Sequence, residues 1–127
     1  MSRFIIKTES APKAVGTYSQ GVAMENLIFT AGQIPLDPAT GKLIEGHFKE
    51  RVHQVLKNLN AVLSGAGSSL DCAVKLTVFL TDMSRFAELN EAFSEVFLED
   101  PPARSAVEVS ALPLGTDVEI ECIATRQ

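Results

Sequence analysis

One amphipathic segment, residues 47–63, most constrains how this chain can fold. Its apolar residues recur at the i, i+4, i+7 and i+8 spacing of one helical face, and charged or amide side chains occupy the other side. The apolar face comprises Phe48, Val52, Val55, Leu56, Leu59, Val62 and Leu63. A second helix with the same periodicity is predicted from about Arg85 to Phe97, and Ser84 is predicted to be its N-cap.

The remaining segments are typical of β-strands. Strands are predicted at residues 4–7, 27–33, 72–80, 105–109 and 118–125. Alternation of side chains is clearest in the third of these, where one face is expected to carry Val74, Leu76, Val78 and Leu80. Strands combined with two separated helices predict an α+β fold, in one domain spanning residues 1–127, in which a mixed β-sheet carries both helices on one face.

The second face of this sheet has no predicted cover. The alternation places Phe79 and Ile123 on it, beside Lys75 and Glu119. An exposed face of this character is expected to be buried against something. We therefore hypothesise self-association, and a monomer in light scattering at micromolar concentration would contradict it.

Charge and composition disfavour several classes of protein. The formal net charge is −5, no window is rich in Lys or Arg, and Tyr18 is the single tyrosine of a chain without tryptophan, so nucleic-acid binding is not expected. No apolar run approaches the ~20 residues of a membrane span, and the apolar stretch near the N-terminus is too short for a signal peptide. A cytoplasmic protein is expected, with Cys72 and Cys122 as reduced core thiols.

Several common catalytic sites find no match. His47 and His53 are six residues apart, which is not the i, i+4 spacing of a helical metal pair, and the chain has no Cys-x-x-Cys motif. The glycines at 65 and 67 form neither a dinucleotide loop nor a P-loop. Ser19 lies outside any Gly-x-Ser-x-Gly elbow and has no histidine nearby.

Arg104, the glutamates Glu119 and Glu121, and Gly32 are the candidates that remain. Arg104 follows two stiffening prolines and opens a strand, so it is either a carboxylate clamp or a surface arginine at a loop end. The two glutamates share one strand face and are either an acid–base pair, an ion pair with a residue such as Lys75, or a solvated face. Gly32 permits close backbone approach by a ligand, or marks a bulge.

Several segments, taken in order along the chain, form a set of motifs. They are Ala11-Pro12, Gly16 to Gly21, Phe29 to Pro35, Lys75 to Phe79, the Asn90 region, Pro102 to Ser105 and Val118 to Ala124. Together these segments resemble the reactive-intermediate deaminase (RidA/YjgF) family. The resemblance covers essentially the whole chain. It implies a chorismate-mutase-like α+β fold and a homotrimer whose active sites lie between subunits.

The resemblance also implies roles for individual residues. The implied site residues are Arg104 (carboxylate binding), Glu119 (water positioning), Tyr18 (ring contact), Gly32 (backbone contact), Asn90, Ala31 and Ala106. Three positions depart from the usual pattern: Thr17 stands in place of proline, Ala31 in place of serine, and Ala106 in place of a frequent cysteine. The missing hydroxyl at Ala31 bears on substrate preference, whereas alanine at 106 is expected to be tolerated because the family uses the backbone there.

The activity implied by the resemblance is hydrolytic deamination. Its substrates are 2-imino and 2-enamino acids (2-aminoacrylate/2-iminopropanoate and 2-iminobutanoate), its products are 2-oxo acids and ammonia, and it needs no metal or organic cofactor. Three alternatives stay open: an endoribonuclease or translation inhibitor, a non-enzymatic trimer that binds small carboxylates or acts as a chaperone, and a chorismate mutase suggested by the fold alone.

Overall fold

The computed structural model describes residues 2–126, which form one mixed sheet and two α-helices. The strands are β1 (Arg3–Ile6), β2 (Gly21–Met24), β3 (Leu27–Thr30), β4 (Ala73–Leu80), β5 (Ala103–Glu108) and β6 (Val118–Thr125), and the helices are α1 (Phe48–Ser64) and α2 (Phe86–Val96). The strand order is β1-β2-β3-β6-β4-β5, in which β4 and β5 are parallel and all other neighbours are antiparallel. The predicted α+β fold with a mixed sheet is confirmed.

Both helices lie on one face of the sheet and bury it. The apolar stripe of α1 is fully buried together with the inward residues of β4 and β6. The central members of this core are Val52, Val55, Leu59, Leu76, Val78, Val118 and Ile120. Among the described residues, no helix has the length and apolar character needed to cross a membrane.

The α2 helix connects the two parallel strands. Parallel neighbours cannot be joined by a tight turn, so the chain leaves the end of β4, crosses over the sheet as α2, and returns to start β5. The crossing places α2 above the helix-side surface of β5, which is the last strand at its edge of the sheet. This placement brings side chains of α2 to the start of β5.

One strand was missed by the sequence analysis, and one was predicted too long. β2 lies between the strands predicted at 4–7 and 27–33, and it forms a hairpin with β3 through Glu25, whose φ is 54°. The strand predicted over 27–33 ends at Thr30. Gln33 then makes a separate bridge to Ile120 of β6. A four-residue strand contains too few alternating side chains to be predicted from its own sequence. Whether such a segment forms a strand depends on the strands with which it pairs.

Two local predictions were wrong. Val74 is 47% exposed, because the register of β4 against β6 shifts between Ala73 and Lys75, and the bulge turns this side chain away from the core. Ser84 is not the N-cap of α2. A short 3₁₀ turn, Met83–Arg85, precedes the helix, and the Asp82 carboxylate caps it by accepting a hydrogen bond from the Ser84 amide at 3.0 Å.

Both cysteines are free thiols, as predicted, but only one belongs to the core. Cys122 is 2% exposed, and burial raises the pKa of its thiol to about 12. Cys72 ends a short 3₁₀ turn and is only half-buried. A buried thiol with a raised pKa carries little thiolate at neutral pH and is unreactive.

The face of the sheet away from the helices is uncovered within the described chain, as predicted. Ile5, Val22, Phe29 and Ile123 lie side by side across four strands on this face. Phe29 is 43% exposed and Ile5 is 46% exposed. We call this surface the open face; it also carries Phe79 and both glutamates of β6.

Candidate active site

Arg104 lies at the start of the edge strand β5 and points to the helix side of the sheet. In the parallel register it is the partner of Leu76, which is completely buried beneath the helices. Neighbouring residues on paired strands point to the same side of a sheet. The guanidinium therefore emerges between the strand edge and α2.

Side chains of α2 hold this guanidinium. Arg104 Nη2 donates a hydrogen bond to Asn90 Oδ1 at 2.7 Å. Its Cζ atom lies over the rings of Phe86 and Phe93, 5.4 and 4.9 Å from their centroids. None of the salt bridges among residues 2–126 involves Arg104. Burial lowers the pKa of the guanidinium below its ordinary value, so the cation is partly desolvated without a counter-ion.

A cavity of about 420 Å³ opens beside the guanidinium. Its walls are Asn90, Phe93, Ser94, Phe97, Pro101, Pro102 and Arg104. The walls combine two phenylalanines and two prolines with polar groups from the arginine, the amide and one serine. A cationic fork at the rim of a cavity of this mixed character suits a small organic carboxylate.

Glu119 belongs to the opposite surface. It pairs with Phe79 of the neighbouring strand β4. Its chain neighbours, Val118 and Ile120, are fully buried on the helix side of the sheet. Burial, and secondarily the charge of Glu121, raise the pKa of the Glu119 carboxyl above its ordinary value. The ion pair with Lys75 that the sequence left open is not formed, because Lys75 lies opposite Ile123.

The Glu119 side chain occupies the space beside Gly32. A Cβ atom built on Gly32 would lie 2.8 Å from Glu119 Cδ, closer than such atoms approach. The segment is pinned in place on both sides: Ala31 N donates to Gln20 O at 2.8 Å, and Gln33 exchanges two backbone hydrogen bonds with Ile120. The close approach to Gly32 is thus made by a carboxylate of the same chain, a contact that local sequence does not reveal.

Tyr18 lies in the long connection between β1 and β2, away from the Arg104 cavity. It is 50% exposed, and its hydroxyl accepts a hydrogen bond from the Val15 amide at 3.3 Å. It lines a different cavity, of about 790 Å³, together with the end of β1 and the 8–20 connection. Gly16 lies against its ring, with a built Cβ 3.3 Å from Tyr18 Cε2.

Ala106 turns its side chain toward the core. Its partner in β4 is the buried Val78, and its methyl group packs against the core. The two histidines lie elsewhere: His47 is the N-cap of α1, and His53 Nε2 is 2.7 Å from Glu95 Oε1 on the outer helical surface.

The implied site residues therefore fall into two groups within one chain. Arg104, Asn90 and Ala106 lie at the edge strand on the helix side. Glu119 and Gly32 lie at the open face, Ala31 is the chain neighbour of Gly32, and Tyr18 lines its own cavity. One group can bind a carboxylate and the other can orient water, but the sheet separates the two.

Fold and site together define a small α+β protein that presents a partly desolvated cation and a partly desolvated carboxylate on opposite sides of one sheet. Residues 8–126 match the family described as Endoribonuclease L-PSP, and the chain belongs to this family, which is the RidA/YjgF family of the sequence motifs.

Similar proteins extend over nearly the full length. A RutC family protein of Pyrococcus abyssi is 49% identical over 127 residues, covering 100% of both chains. A mouse protein named 2-iminobutanoate/2-iminopropanoate deaminase is 44% identical, covering 98% of this chain and 92% of its own. The crystal structure of E. coli TdcF with bound serine superposes with a TM-score of 0.92 at 40% identity, covering 98% of this chain and 99% of that one. Relatives are thus named as deaminases, as RutC proteins and, through the family description, as endoribonucleases.

Proposed function

We propose that this protein hydrolyses 2-imino acids and their 2-enamino tautomers to 2-oxo acids and ammonia. The observation that carries the proposal is the state of Arg104: a half-buried guanidinium, fixed by Asn90, with no carboxylate partner among the described residues. Such a fork binds a planar carboxylate through two parallel hydrogen bonds, and every 2-imino acid carries one. The name of the mouse relative supports this substrate class.

Glu119 supplies the second requirement of the reaction, a base for water. Its pKa is raised by burial, and a carboxylate whose pKa is raised toward neutrality accepts a proton more readily than an ordinary surface glutamate. It reaches the space beside Gly32 with no cation paired to it among the described residues. A water molecule held there would be oriented toward an imine carbon placed against the open face.

A complete site on this proposal requires two copies of the chain, because Arg104 and Glu119 lie on opposite sides of the sheet. We extend the proposal to a homotrimer in which Arg104, Asn90 and Ala106 of one subunit face Glu119, Gly32, Ala31 and Tyr18 of its neighbour. The apolar row on the open face provides surface that such assembly would bury.

The proposed reaction proceeds in two stages. Arg104 binds the substrate carboxylate, Glu119 takes a proton from water, and the oxygen bonds to C2 while the C=N π electrons move to nitrogen. Glu119 passes this proton to the nitrogen, which gives the carbinolamine. In the second stage the hydroxyl group loses its proton, a C=O bond forms as the C–N bond breaks, and the nitrogen takes up that second proton and leaves as ammonia. Positioning of water against a bound imine supplies much of the acceleration.

An assay with the imine generated in place tests the activity. A threonine or serine dehydratase in excess makes imine hydrolysis the slow step, and release of the 2-oxo acid is followed with and without this protein. We expect a rate that rises in proportion to the added protein. A rate equal to the spontaneous one would contradict the proposal.

Glu119→Gln is the matched inactive control in this assay. We expect kcat to fall about 10²-fold, with a smaller change in KM, because the amide fills the same volume but cannot accept the proton. Since the pKa of Glu119 is raised in the folded protein, ionisation of its carboxyl costs stability; the cost accumulates as pH rises from the ordinary carboxyl pKa to the raised one and stays constant above it. The variant is therefore expected to unfold at the same or a higher temperature. An unchanged kcat would remove Glu119 from the mechanism.

Gly32→Ala is expected to displace the Glu119 carboxylate without removing it. The added methyl would overlap the side chain, whose Cδ lies 2.8 Å from the built Cβ, and we expect kcat to fall at least about tenfold. The control is the double variant Gly32→Ala/Glu119→Gln. It should be no slower than Glu119→Gln alone, and an additional loss would mean that Gly32 acts through something other than Glu119.

The family description gives a second candidate, an endoribonuclease. Against it stand the net charge of −5 and the use of Arg104 at a cavity suited to a small carboxylate. Cleavage of a single-stranded RNA by the wild-type chain, lost in Arg104→Ala, would favour this candidate over the deaminase.

A further inference from the structure

Four arginines among the described residues lie over aromatic rings, but they differ in their charge partners. Arg51 and Arg85 have Cζ atoms 5.9 and 5.6 Å from the ring centroid of Phe48. Each also has a carboxylate: Arg51 pairs with Asp117, and Arg85 pairs with Glu88. The N–H donors of Arg51 and Arg85 are therefore largely used by carboxylates of the same chain.

Arg104 is held differently. Its two aromatic contacts, with Phe86 and Phe93, are the shortest such contacts among the described residues, and its hydrogen bond goes to the neutral amide of Asn90. An aromatic face attracts the cation through its quadrupole but offers no lone pair to the N–H groups. The guanidinium is stabilised in a half-buried place while most of its donors stay available.

We propose that Phe86 and Phe93 are positioning residues that take the place of a counter-ion for Arg104, fixing the plane of its guanidinium so that the fork is ready for a substrate carboxylate. This inference rests on the proposed function of Arg104. A protein carboxylate in place of the rings would also stabilise the cation. It would, however, compete with the substrate carboxylate for the N–H donors of the guanidinium.

Orientation by the rings has a definite energetic consequence. A mobile arginine side chain loses the conformational entropy of several rotatable bonds when a ligand fixes its guanidinium. A guanidinium that is already oriented before binding loses less conformational entropy. The rings also exclude water from the guanidinium faces, which agrees with the lowered pKa of Arg104. Loss of a ring should therefore weaken carboxylate binding and leave the chemical step, which belongs to Glu119, nearly unchanged.

Phe86 is the position at which this can be tested without disturbing the core. It is 40% exposed, whereas Phe93 is 8% exposed and its truncation would open a cavity. Phe86→Leu keeps an apolar side chain of similar size but removes the ring, and Phe86→Tyr keeps the ring. Phe4→Leu is the matched control, because Phe4 is 52% exposed and lies under another arginine, Arg126, at 5.6 Å on the far edge of the sheet.

The experiment measures the dissociation constant of 2-oxobutanoate by calorimetry, KM and kcat for imine hydrolysis, and the thermal midpoint of each variant. For Phe86→Leu we expect the dissociation constant and KM to rise about three- to tenfold, with kcat within about twofold of wild type and an unchanged midpoint. Phe86→Tyr should restore wild-type binding, and Phe4→Leu should match wild type throughout.

Two results would overturn the inference, and they are distinguishable. If wild type binds 2-oxobutanoate, Arg104→Ala does not, and Phe86→Leu binds as tightly as wild type, the rings do not position the arginine although the clamp stands. If wild type fails to bind 2-oxobutanoate, or Arg104→Ala binds it equally well, the proposed function of Arg104 falls and the inference falls with it.

Discussion

Arg104→Ala is expected to lower kcat/KM for imine hydrolysis by about 10²- to 10³-fold. The variant removes both charged hydrogen bonds to the substrate carboxylate, and no other cation lines the 420 Å³ cavity. The loss should appear in the dehydratase-coupled assay and in binding of a 2-oxo acid. Full activity of the variant would refute the clamp.

Stability should not explain this loss. Arg104 is partly desolvated and makes no salt bridge among the described residues, so its removal breaks no ion pair. The variant relieves the burial of a charge but loses the contacts with Asn90 and the two rings, and these effects on stability oppose each other. The thermal midpoint and the oligomeric state are expected to match those of wild type. Arg104→Lys is the charge-preserving control: a lysine can neutralise the carboxylate but cannot present a planar fork, and we expect it to recover only a small part of the activity.

Mixing two inactive variants should restore activity if the site lies between subunits. Arg104→Ala and Glu119→Gln chains, unfolded together in equal amounts and refolded, would form hybrid trimers. At each contact one of the four random pairings brings an intact Arg104 to an intact Glu119, so about a quarter of the wild-type activity is expected. Each variant refolded alone should stay inactive.

Two further mixtures serve as controls for this experiment. Combining the folded variants without refolding should restore nothing until subunits exchange. Pairing Arg104→Ala with the double variant Arg104→Ala/Glu119→Gln should restore nothing under any condition, because no intact Arg104 is present. Inactive hybrids, once native mass spectrometry has verified their mixed composition, would place the reaction within a single chain and would contradict the intersubunit site.

Predictions from sequence were best where one side-chain period runs uninterrupted. The last strand was predicted over 118–125 and is Val118–Thr125, and α1 was predicted over 47–63 and is Phe48–Ser64. Predictions from sequence failed where contacts with a segment distant in the sequence determine the backbone conformation. The bulge at Val74 depends on pairing with β6, and β2 is defined by its partners β1 and β3.

The site shows the same division. Arg104, Glu119 and Gly32 were recognised as candidates from local pattern, and the family was recognised from ordered motifs, which the family match confirms. The roles given to these residues stay predictions. The aromatic contacts of Arg104 could not be foreseen. Phe86 and Phe93 lie in a segment for which the sequence predicts only an amphipathic helix, and α2 comes close to β5 only through the crossover.

The sequence by itself determined the α+β class, the two helices, the long strands and the family. Side-chain periodicity and short motifs are local properties of the sequence, so they can be recognised without the tertiary structure. Only the tertiary structure decided that Glu119 fills the space beside Gly32 and that Arg104 faces the other side of the sheet. Strand order and register set these relations, and they arise from pairing between segments that are far apart in the sequence, which no local pattern encodes.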